Sequence, residues 1–549
     1  MSGCLVGNPI RPPFRFLMNP TEIVTGLLGV TTLLAAVARQ TRISYPILLV
    51  IVGLFIGWIP GLPPVVLSPD TVFLIFLPPL LYAAAWQIDN RELKLYSRPV
   101  SLLAVGLVLF TATVVALIAH AFIPGFSLAQ GYLLGAIVAP PDAVAASSVT
   151  RGLNVPKRIM TVLEGESLIN DASSLIIYRY GLAAILTSQF VLWEAGLQFI
   201  GIALVSVSIG LAIGWLMLWV HRAIGKDTVT STAVTLLTPY GSYLIAENFH
   251  LSGVLAVVTT GLFLSVRISE LFTDQIRLQT NAVWEVVIFL FNGLVFILIG
   301  LQLPMIVANL NGYTLPQAVG YALMVSAVAI ICRLVWVFPG AYLPRWFSAD
   351  IRKREPKPSW QQVTILGWAG MRGIVSLAGA LALPNTLLNG QPFPARDLIL
   401  FITFIVILVT LVLQGLTLPV LIELLDVREQ IDEKQEERKL RRKMAQQVIT
   451  HLEANHSAGS VQDDVLSYVK NTYELRINEL NGMLRASSNS HQPAELYKQA
   501  IQLQLELISV ERMVLNEERR SSLLDGERLR KMEQELDLES ARLSLVHVE

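Results

Sequence analysis

The stretch GESLINDASSL, residues 165–175, places ionisable and hydrogen-bonding side chains inside a strongly apolar run. In a helix Glu166 and Asn170 lie one turn apart, as do Ser167 and Asp171, so the four share one face. A charge at the centre of a bilayer costs on the order of 2.5 to 3.5 kcal/mol, so we expect an unpaired carboxylate there to be protonated or to face water. The pattern predicts a site that binds a proton conditionally.

Two further apolar segments combine a charged residue with residues that interrupt a helix. In AIVAPPDAVAASS, Pro140 and Pro141 precede Asp142, and each proline lacks the N–H that a helix needs. In GWAGMRGIVSLAGALAL, three glycines surround Arg372. Irregular backbone at membrane depth is tolerated only where it is buried in protein or lines a cavity. The two segments predict two broken helices, one in each half of the chain, that meet at a site near the membrane midplane.

A second arginine, Arg333 in AIICRLVWVFPG, also lies within an apolar run. If Arg333 pairs with Glu166, and Arg372 lies with or near Asp142, then Asp171 is the acid without a permanent partner. Spacing alone does not decide these pairings. A hard monovalent cation prefers oxygen ligands. The candidate ligands are the carboxylates of Asp171 and Asp142, the hydroxyl of Ser167, the amide of Asn170 and the carbonyl of Pro141.

These residues require membrane-spanning elements to position them. The 549 residues are 53% hydrophobic and 15% charged, with a mean hydropathy of +0.57, which indicates an all-α polytopic membrane protein. Runs long enough to cross about 30 Å of hydrocarbon predict thirteen transmembrane helices. They lie near residues 19–38, 44–60, 70–87, 99–123, 128–148, 156–186, 190–220, 229–247, 251–266, 281–303, 316–343, 360–384 and 397–425.

The distribution of Lys and Arg predicts the orientation. Each odd-numbered loop carries two to five of these residues, whereas the even-numbered loops carry only Arg396. An excess of Lys and Arg marks cytoplasmic loops, so we expect the N-terminus to be outside and the C-terminus to be cytoplasmic. Three regions follow: an N-terminal extension at 1–18, a transmembrane domain at 19–426 and a cytoplasmic helical domain at 427–549.

The predicted cytoplasmic domain holds about half of the charged residues of the chain. Leu503, Leu507, Val510 and Val514 recur at helical spacing between charged residues, which predicts amphipathic helices. A helical bundle that supports dimerisation is favoured over a dedicated ligand-binding module.

Composition and motifs also exclude several functions. The net charge is zero and no basic patch is interleaved with aromatic residues, which argues against nucleic acid as a partner. The sequence has no zinc-protease motif and no complete phosphate-binding loop, so we expect neither a resident cofactor nor an ATP-driven pump. Two alternatives are an intramembrane enzyme with Asp142 and Asp171 as an aspartyl dyad, and a cation channel.

Among the other acids, we expect Glu285 to be internally paired and Glu247 to be a funnel or packing residue.

Three motifs, which in chain order are PPDAVA, GESLINDASSL and GMRGIVSLAG, together resemble the cation:proton antiporter family 1, the NhaP and sodium/proton-exchanger lineage. The resemblance covers roughly residues 20–425. It implies thirteen transmembrane helices with inverted repeats, a homodimer, and a core domain that moves against a dimerisation domain in an elevator-like motion.

The resemblance also implies roles for individual residues. Asp171 would bind the cation, Na⁺ first among the candidates, and the proton in turn. Glu166 and Ser167 correspond to the acid and the hydroxyl one turn earlier, and Arg333 is similar to the partner of that acid. Arg372 corresponds to the second membrane arginine, and Asp142 to the acid of the broken helix.

The chain departs from many relatives, which have Thr-Asp where it has Pro141-Asp142, so a threonine hydroxyl is missing. The carbonyl of Pro141 would have to replace it, which leaves the ion preference among Na⁺, K⁺ and Li⁺ open. Asn170 cannot take up a proton, and electroneutral exchange is therefore expected. The predicted function is antiport of a monovalent cation and protons by a homodimer in contact with membrane lipids, with a role in pH and cation homeostasis.

Overall fold

The computed structural model describes residues 20–40, 44–59, 72–88, 90–150, 153, 155–187, 192–310, 312–354, 357–387, 390–427, 433–455 and 502–513, with short stretches within 467–477 and 532–543. The described residues are almost wholly helical; they contain no β-strand, and their one isolated β-bridge joins Thr386 and Pro392. The predicted all-α class is therefore confirmed for this part of the chain. The predicted extension at 1–18 lies outside it.

The helices are numbered here in chain order. They are α1 (Pro20–Gln40), α2 (Tyr45–Gly57), α3 (Leu77–Gln87), α4 (Asn90–Leu95), α5 (Ser97–Ser101), α6 (Val108–Phe122), α7 (Leu128–Val138), α8 (Ala143–Thr150), α9 (Lys157–Thr187), α10 (Leu192–Ile224), α11 (Thr228–Asn248), α12 (Gly253–Leu271), α13 (Asp274–Ala308), α14 (Leu315–Phe347), α15 (Ala349–Arg354), α16 (Trp360–Trp368), α17 (Ile374–Leu381), α18 (Arg396–Val409), α19 (Gly415–Leu424) and α20 (Glu433–Asn455). Wider π-helical turns lie at Val72–Phe76, Leu102–Leu107 and Thr410–Gln414.

Six helical stretches in the described part are long and apolar enough to cross a membrane. They are Ser97–Phe122, Leu128–Thr150, Ile200–Ile224, Asp274–Ala308, Leu315–Phe347 and Arg396–Leu424. Shorter apolar helices run from Glu22 to Ala38, Tyr45 to Gly57, Phe73 to Gln87 and Gly253 to Arg267. The chain is thus a multi-span membrane protein, while the count of thirteen spans and the inverted repeat stay predictions.

Helical winding stops in both segments that the sequence singled out. In the first segment α7 ends at Val138, and α8 begins only at Ala143, after Pro140 and Pro141. Neither proline can donate a backbone hydrogen bond, so the helix does not continue through them. In the second segment α16 ends at Trp368 and α17 begins at Ile374.

The membrane helices form two groups, each with most of its contacts inside the group. One group, which we call the scaffold bundle, contains α1, α2, α3 and α10–α13. The other, the site bundle, contains α6–α9, α14 and α16–α19. Both interrupted segments and the long helix α9, which carries GESLINDASSL, belong to the site bundle. The candidate residues are therefore positioned within a single group of helices.

The chain divides into two compact units, Met1–Arg428 and Glu429–Glu549. In the second unit α20 carries many charged residues, and the helical stretch 502–513 exposes Leu503, Leu507 and Val510. The predicted dimerisation role of this region is not decided by these observations and stays a prediction, and Val514 lies outside the described residues.

Candidate cation and proton site

Glu166 of α9 and Arg333 of α14 form an ion pair in the core of the site bundle. Arg333 Nη1 donates to Glu166 Oε1 at 2.5 Å, and Nη2 donates to Oε2 at 2.9 Å. Their side chains are 0% and 1% exposed, respectively. Arg333 Nε and Nη2 also donate to the carbonyl of Leu366 at 3.3 and 3.2 Å. The charge of Glu166 is thus compensated by a partner that occupies both of its oxygens.

Arg372, between α16 and α17, binds carbonyl groups rather than a carboxylate. Its Nε donates to Val138 O at 3.0 Å, its Nη2 to Ala329 O at 3.4 Å, and its Nη1 to Gly370 O. Val138 is the last residue of α7. The positive charge of Arg372 is stabilised there by the negative end of the helix dipole. Among the described contacts no ion pair joins Arg372 to Asp142, so the expected proximity does not take the form of a salt bridge.

Asp142 lies where the two interrupted segments cross. Its Oδ1 accepts from the N–H groups of Val144 at 2.8 Å and Ala145 at 3.4 Å, as an N-cap of α8. The carboxylate also lies against Gly373, directly before the first residue of α17, where a Cβ would overlap it. The backbone N–H of Asp142 donates to Met371 O at 2.6 Å. One carboxylate therefore faces the positive ends of two half-helices, which assigns Asp142 a structural role beside its predicted role as a ligand.

Asp171 has none of these partners. Its side chain is on the buried face of α9, the residue is 4% exposed, and no described hydrogen bond or ion pair uses its carboxylate. It is within electrostatic reach of Asp142, which is a like charge. A buried carboxylate without a counter-ion requires a proton or a cation, so the arrangement agrees with the chemistry predicted from GESLINDASSL.

The remaining predicted ligands lie around Asp171 along α9 and the first break. Ser167, one turn before Asp171, accepts through Oγ from the N–H of Ala143 at 3.3 Å. Asn170 is fully buried, and both of its amide atoms lack a hydrogen-bond partner within the described residues. Pro141 is buried, and its carbonyl is likewise not used by any described hydrogen bond. The structure thus places these candidate oxygen ligands on α9 and on the break that precedes α8.

Sequence reasoning missed Thr410 and did not show what Gly373 contacts. Thr410, in a π-helical turn, accepts from the backbone N–H of Arg372 at 3.1 Å, and a π turn inside an α-helix often marks a functional region. Gly373 is one of the three glycines around Arg372, and a Cβ on it would overlap the carboxylate of Asp142. The motif GMRG was thus a signal for Gly373, whereas nothing near Thr410 was one. Glu285 is exposed, contrary to the expected internal pairing, and Glu247 pairs with Arg179.

The region of the chain that contains the candidate site also matches a known protein family. A model of the family described as Sodium/hydrogen exchanger, transmembrane, matches residues 28–424. The chain belongs to the sodium/hydrogen exchanger family. The match includes both interrupted segments and α9, and it confirms the resemblance that the three motifs indicated. Membership of this family places the chain among membrane transporters and argues against the intramembrane enzyme.

Individual relatives agree with this placement in the family. An uncharacterised Na⁺/H⁺ exchanger of Mycobacterium tuberculosis is 31% identical over 96% of this chain and 98% of the relative. A sodium, potassium, lithium and rubidium/H⁺ antiporter of Bacillus pumilus is 34% identical over 74% of this chain and 62% of the relative. The solved structure of the sodium proton antiporter MjNhaP1 of Methanocaldococcus jannaschii matches with a TM-score of 0.57 at 20% identity, covering 74% of this chain and 98% of that one. This structural match shows a shared fold.

The contact between Gly373 and Asp142 gives a first testable prediction. In Gly373→Ala the new methyl group would displace the Asp142 carboxylate from the start of α17, and we expect ion exchange to slow by roughly tenfold or more. Gly379→Ala, within α17, is the control, because its Cβ would meet only Ile137 at 3.6 Å. Exchange rates of the two variants in liposomes provide the test. Equal rates would contradict the importance of this contact.

Proposed function

We propose that the protein exchanges a monovalent cation for a proton across the membrane, with Asp171 as the group that binds each in turn. One observation carries the proposal: Asp171 is buried without a described partner, while Glu166, on the same helix, is held by Arg333. A cation and a proton compete for the single carboxylate. If only the neutralised site crosses between the two sides of the membrane, this competition couples the two fluxes.

The stoichiometry follows from the neighbours of Asp171. Asn170 has no carboxyl group, and Asp142 accepts from N–H groups of α8 and lies against the start of α17. One carboxylate is thus left to alternate between a proton and a cation, which supports electroneutral one-for-one exchange. No resident cofactor enters the mechanism, because the cation and the proton are the substrates.

We further propose that Na⁺ is the principal cation, with K⁺ and Li⁺ as candidates, and that the protein works as a homodimer in the bacterial inner membrane. The name of the Bacillus pumilus relative includes all three ions, so a broad preference is a specific expectation. The excess of Lys and Arg in alternate loops supports a cytoplasmic C-terminus. A role in pH and cation homeostasis follows from the exchange itself.

The test is a proteoliposome assay with an imposed pH gradient and a pH-sensitive dye inside. Addition of Na⁺, K⁺ or Li⁺ outside should dissipate the gradient, each with its own concentration dependence, and a membrane-potential dye should report no accompanying current. Currents that persist without a pH change would identify a channel. If K⁺ dissipated the gradient at least as strongly as Na⁺, K⁺ would replace Na⁺ as the proposed principal cation.

An ion pair across the two bundles gives a further prediction. Arg179 of α9 donates through Nη2 to both carboxylate oxygens of Glu247 in α11, at 3.1 and 3.2 Å. Glu247 also accepts from the N–H of Gly253, at the start of α12, at 3.2 Å. Arg179 follows Asp171 by eight residues, a helical rise of roughly 12 Å. The pair therefore joins the bundles toward one end of α9, and we propose that it separates during transport.

Arg179→Cys/Glu247→Cys, in a background without Cys4 and Cys332, allows the two bundles to be tethered. Treatment with a short, reducible bifunctional thiol reagent should stop exchange, because the bundles could no longer move relative to one another. A reductant should restore it. The two single-cysteine variants, treated in the same way, are the controls. Full exchange by the cross-linked double-cysteine variant would contradict a movement of α9 relative to α11 during transport.

A further inference from the structure

A groove lies on the surface of the site bundle where α5 continues into α6. It has a volume of about 380 Å³ and is lined by Arg98, Ser101, Leu102, Gly106 and Pro344. Apolar side chains on the helices that border it are exposed, among them Leu109 of α6, Val335 and Leu343 of α14. In a membrane protein such side chains contact lipid, so the groove opens toward the bilayer rather than toward the ion site.

A wide backbone turn and one tryptophan lie beside the groove. The π-helical turn Leu102–Leu107 leaves the carbonyl of Leu102 able to accept from Trp336 Nε1 at 3.3 Å. The Trp336 ring stacks on Phe110 with centroids 4.9 Å apart. A Cβ on Gly106 would lie 2.7 Å from this ring, so a larger residue at this position would push the ring away. The turn and the glycine thus let α6 and α14 pack closely beside the groove.

The two ends of the groove differ in chemistry. Arg98 and the exposed Ser101 provide positive charge and a hydroxyl at one end, and Leu102, Gly106 and Pro344 provide an apolar floor. At the end of α14, shortly after Pro344, Trp346 and Phe347 are 77% and 78% exposed. Exposed aromatic residues at a helix end mark the headgroup level of a bilayer, so the polar end of the groove lies where lipid phosphates are found.

We propose that this groove binds one anionic glycerophospholipid, with its phosphate on Arg98 and Ser101 and an acyl chain along Leu102, Gly106 and Pro344. Charge complementarity selects an anionic headgroup over a zwitterionic one. The apolar floor distinguishes a lipid from a free anion, which would leave that floor uncovered. The proposal goes beyond ion exchange, and its test does not depend on transport.

Native mass spectrometry of the full chain in detergent tests the proposal with phosphatidylglycerol, phosphatidylcholine and glycerol phosphate as probes. The wild type should retain one phosphatidylglycerol in preference to phosphatidylcholine. Arg98→Gln should weaken its binding roughly tenfold, as expected for the loss of one charged hydrogen bond. Ser101→Trp, which fills the groove at an exposed position and keeps the charge, should weaken binding equally. Lys94→Gln, which removes a nearby exposed charge, should leave binding unchanged.

Three outcomes would overturn the proposal. One is equal retention of phosphatidylglycerol by the wild type, Arg98→Gln and Ser101→Trp. Another is equal retention of the two phospholipids, which would show ordinary annular lipid. The third is displacement of phosphatidylglycerol by glycerol phosphate at equal concentration, which would show a site for soluble anions. Unchanged thermal unfolding of the variants in detergent excludes misfolding as the cause of weaker binding.

Discussion

Asp171→Asn is expected to reduce cation-driven proton movement in proteoliposomes to the rate of empty liposomes. The substitution preserves the size of a buried side chain that has no described ion-pair partner, so the fold should tolerate it. It removes the carboxylate that, as we propose, binds a proton and a cation in turn. Both half-reactions are lost together, and the effect should be the same for Na⁺, K⁺ and Li⁺ and at every pH.

Two comparisons make this result specific to the carboxylate. Asp171→Glu retains a carboxyl group and should retain measurable exchange, with a changed apparent affinity for the cation because the group is displaced by one methylene. Ser174→Ala, on the next turn of α9, removes a buried hydroxyl that binds the carbonyl of Asp171 and should retain most of the activity. Cation-dependent exchange by Asp171→Asn would refute the assignment.

The second large effect concerns the ion pair between Glu166 and Arg333. Removing one partner leaves an uncompensated charge in the core, which costs about 3 to 5 kcal/mol. We therefore expect Glu166→Gln alone to be strongly destabilised. The double variant Glu166→Gln/Arg333→Met should recover most of the free energy of unfolding, because a buried ion pair contributes little beyond what neutral side chains of similar volume provide.

A double-mutant cycle on the purified protein in detergent measures this coupling as the free energy of unfolding. The Arg179–Glu247 pair is the control, because its side chains are 44% and 34% exposed. Glu247→Gln should cost at most about 1 kcal/mol, as is typical of solvent-exposed pairs. If the double variant of the buried pair were as unstable as the single variants, the two charges would not compensate one another.

Much of the site follows from the sequence because polar residues in a membrane segment are costly and few. Glu166, Asp171 and Arg333 stand out against apolar neighbours, and opposite charges in hydrocarbon must find one another. The interruption at Pro140 and Pro141 is equally visible, because proline cannot continue a helix. The helical class follows from the same reasoning, since a spanning segment must satisfy its own backbone.

The remaining features depend on which segments meet in space. Arg372 had many possible acceptors, and its choice of carbonyls in α7 and α14 depends on how those helices cross. The contact of Asp142 with the start of α17 joins residues more than two hundred positions apart, at a distance set by the packing of half-helices. The expectation for Glu285 was wrong for a related reason. A charge in an apolar run predicts an internal partner, but the structure leaves this side chain exposed.

The buried arginines have a consequence for how the protein is made. Arg372 takes its acceptors from Val138 and Ala329, which are synthesised before it, so its partners already exist when its segment is inserted into the bilayer. Glu166 is in the reverse situation, because Arg333 follows it by 167 residues. During biogenesis this glutamate therefore has no counter-ion until the second half of the chain arrives. The site is therefore completed late, and a truncated chain would present an acid without its counter-ion.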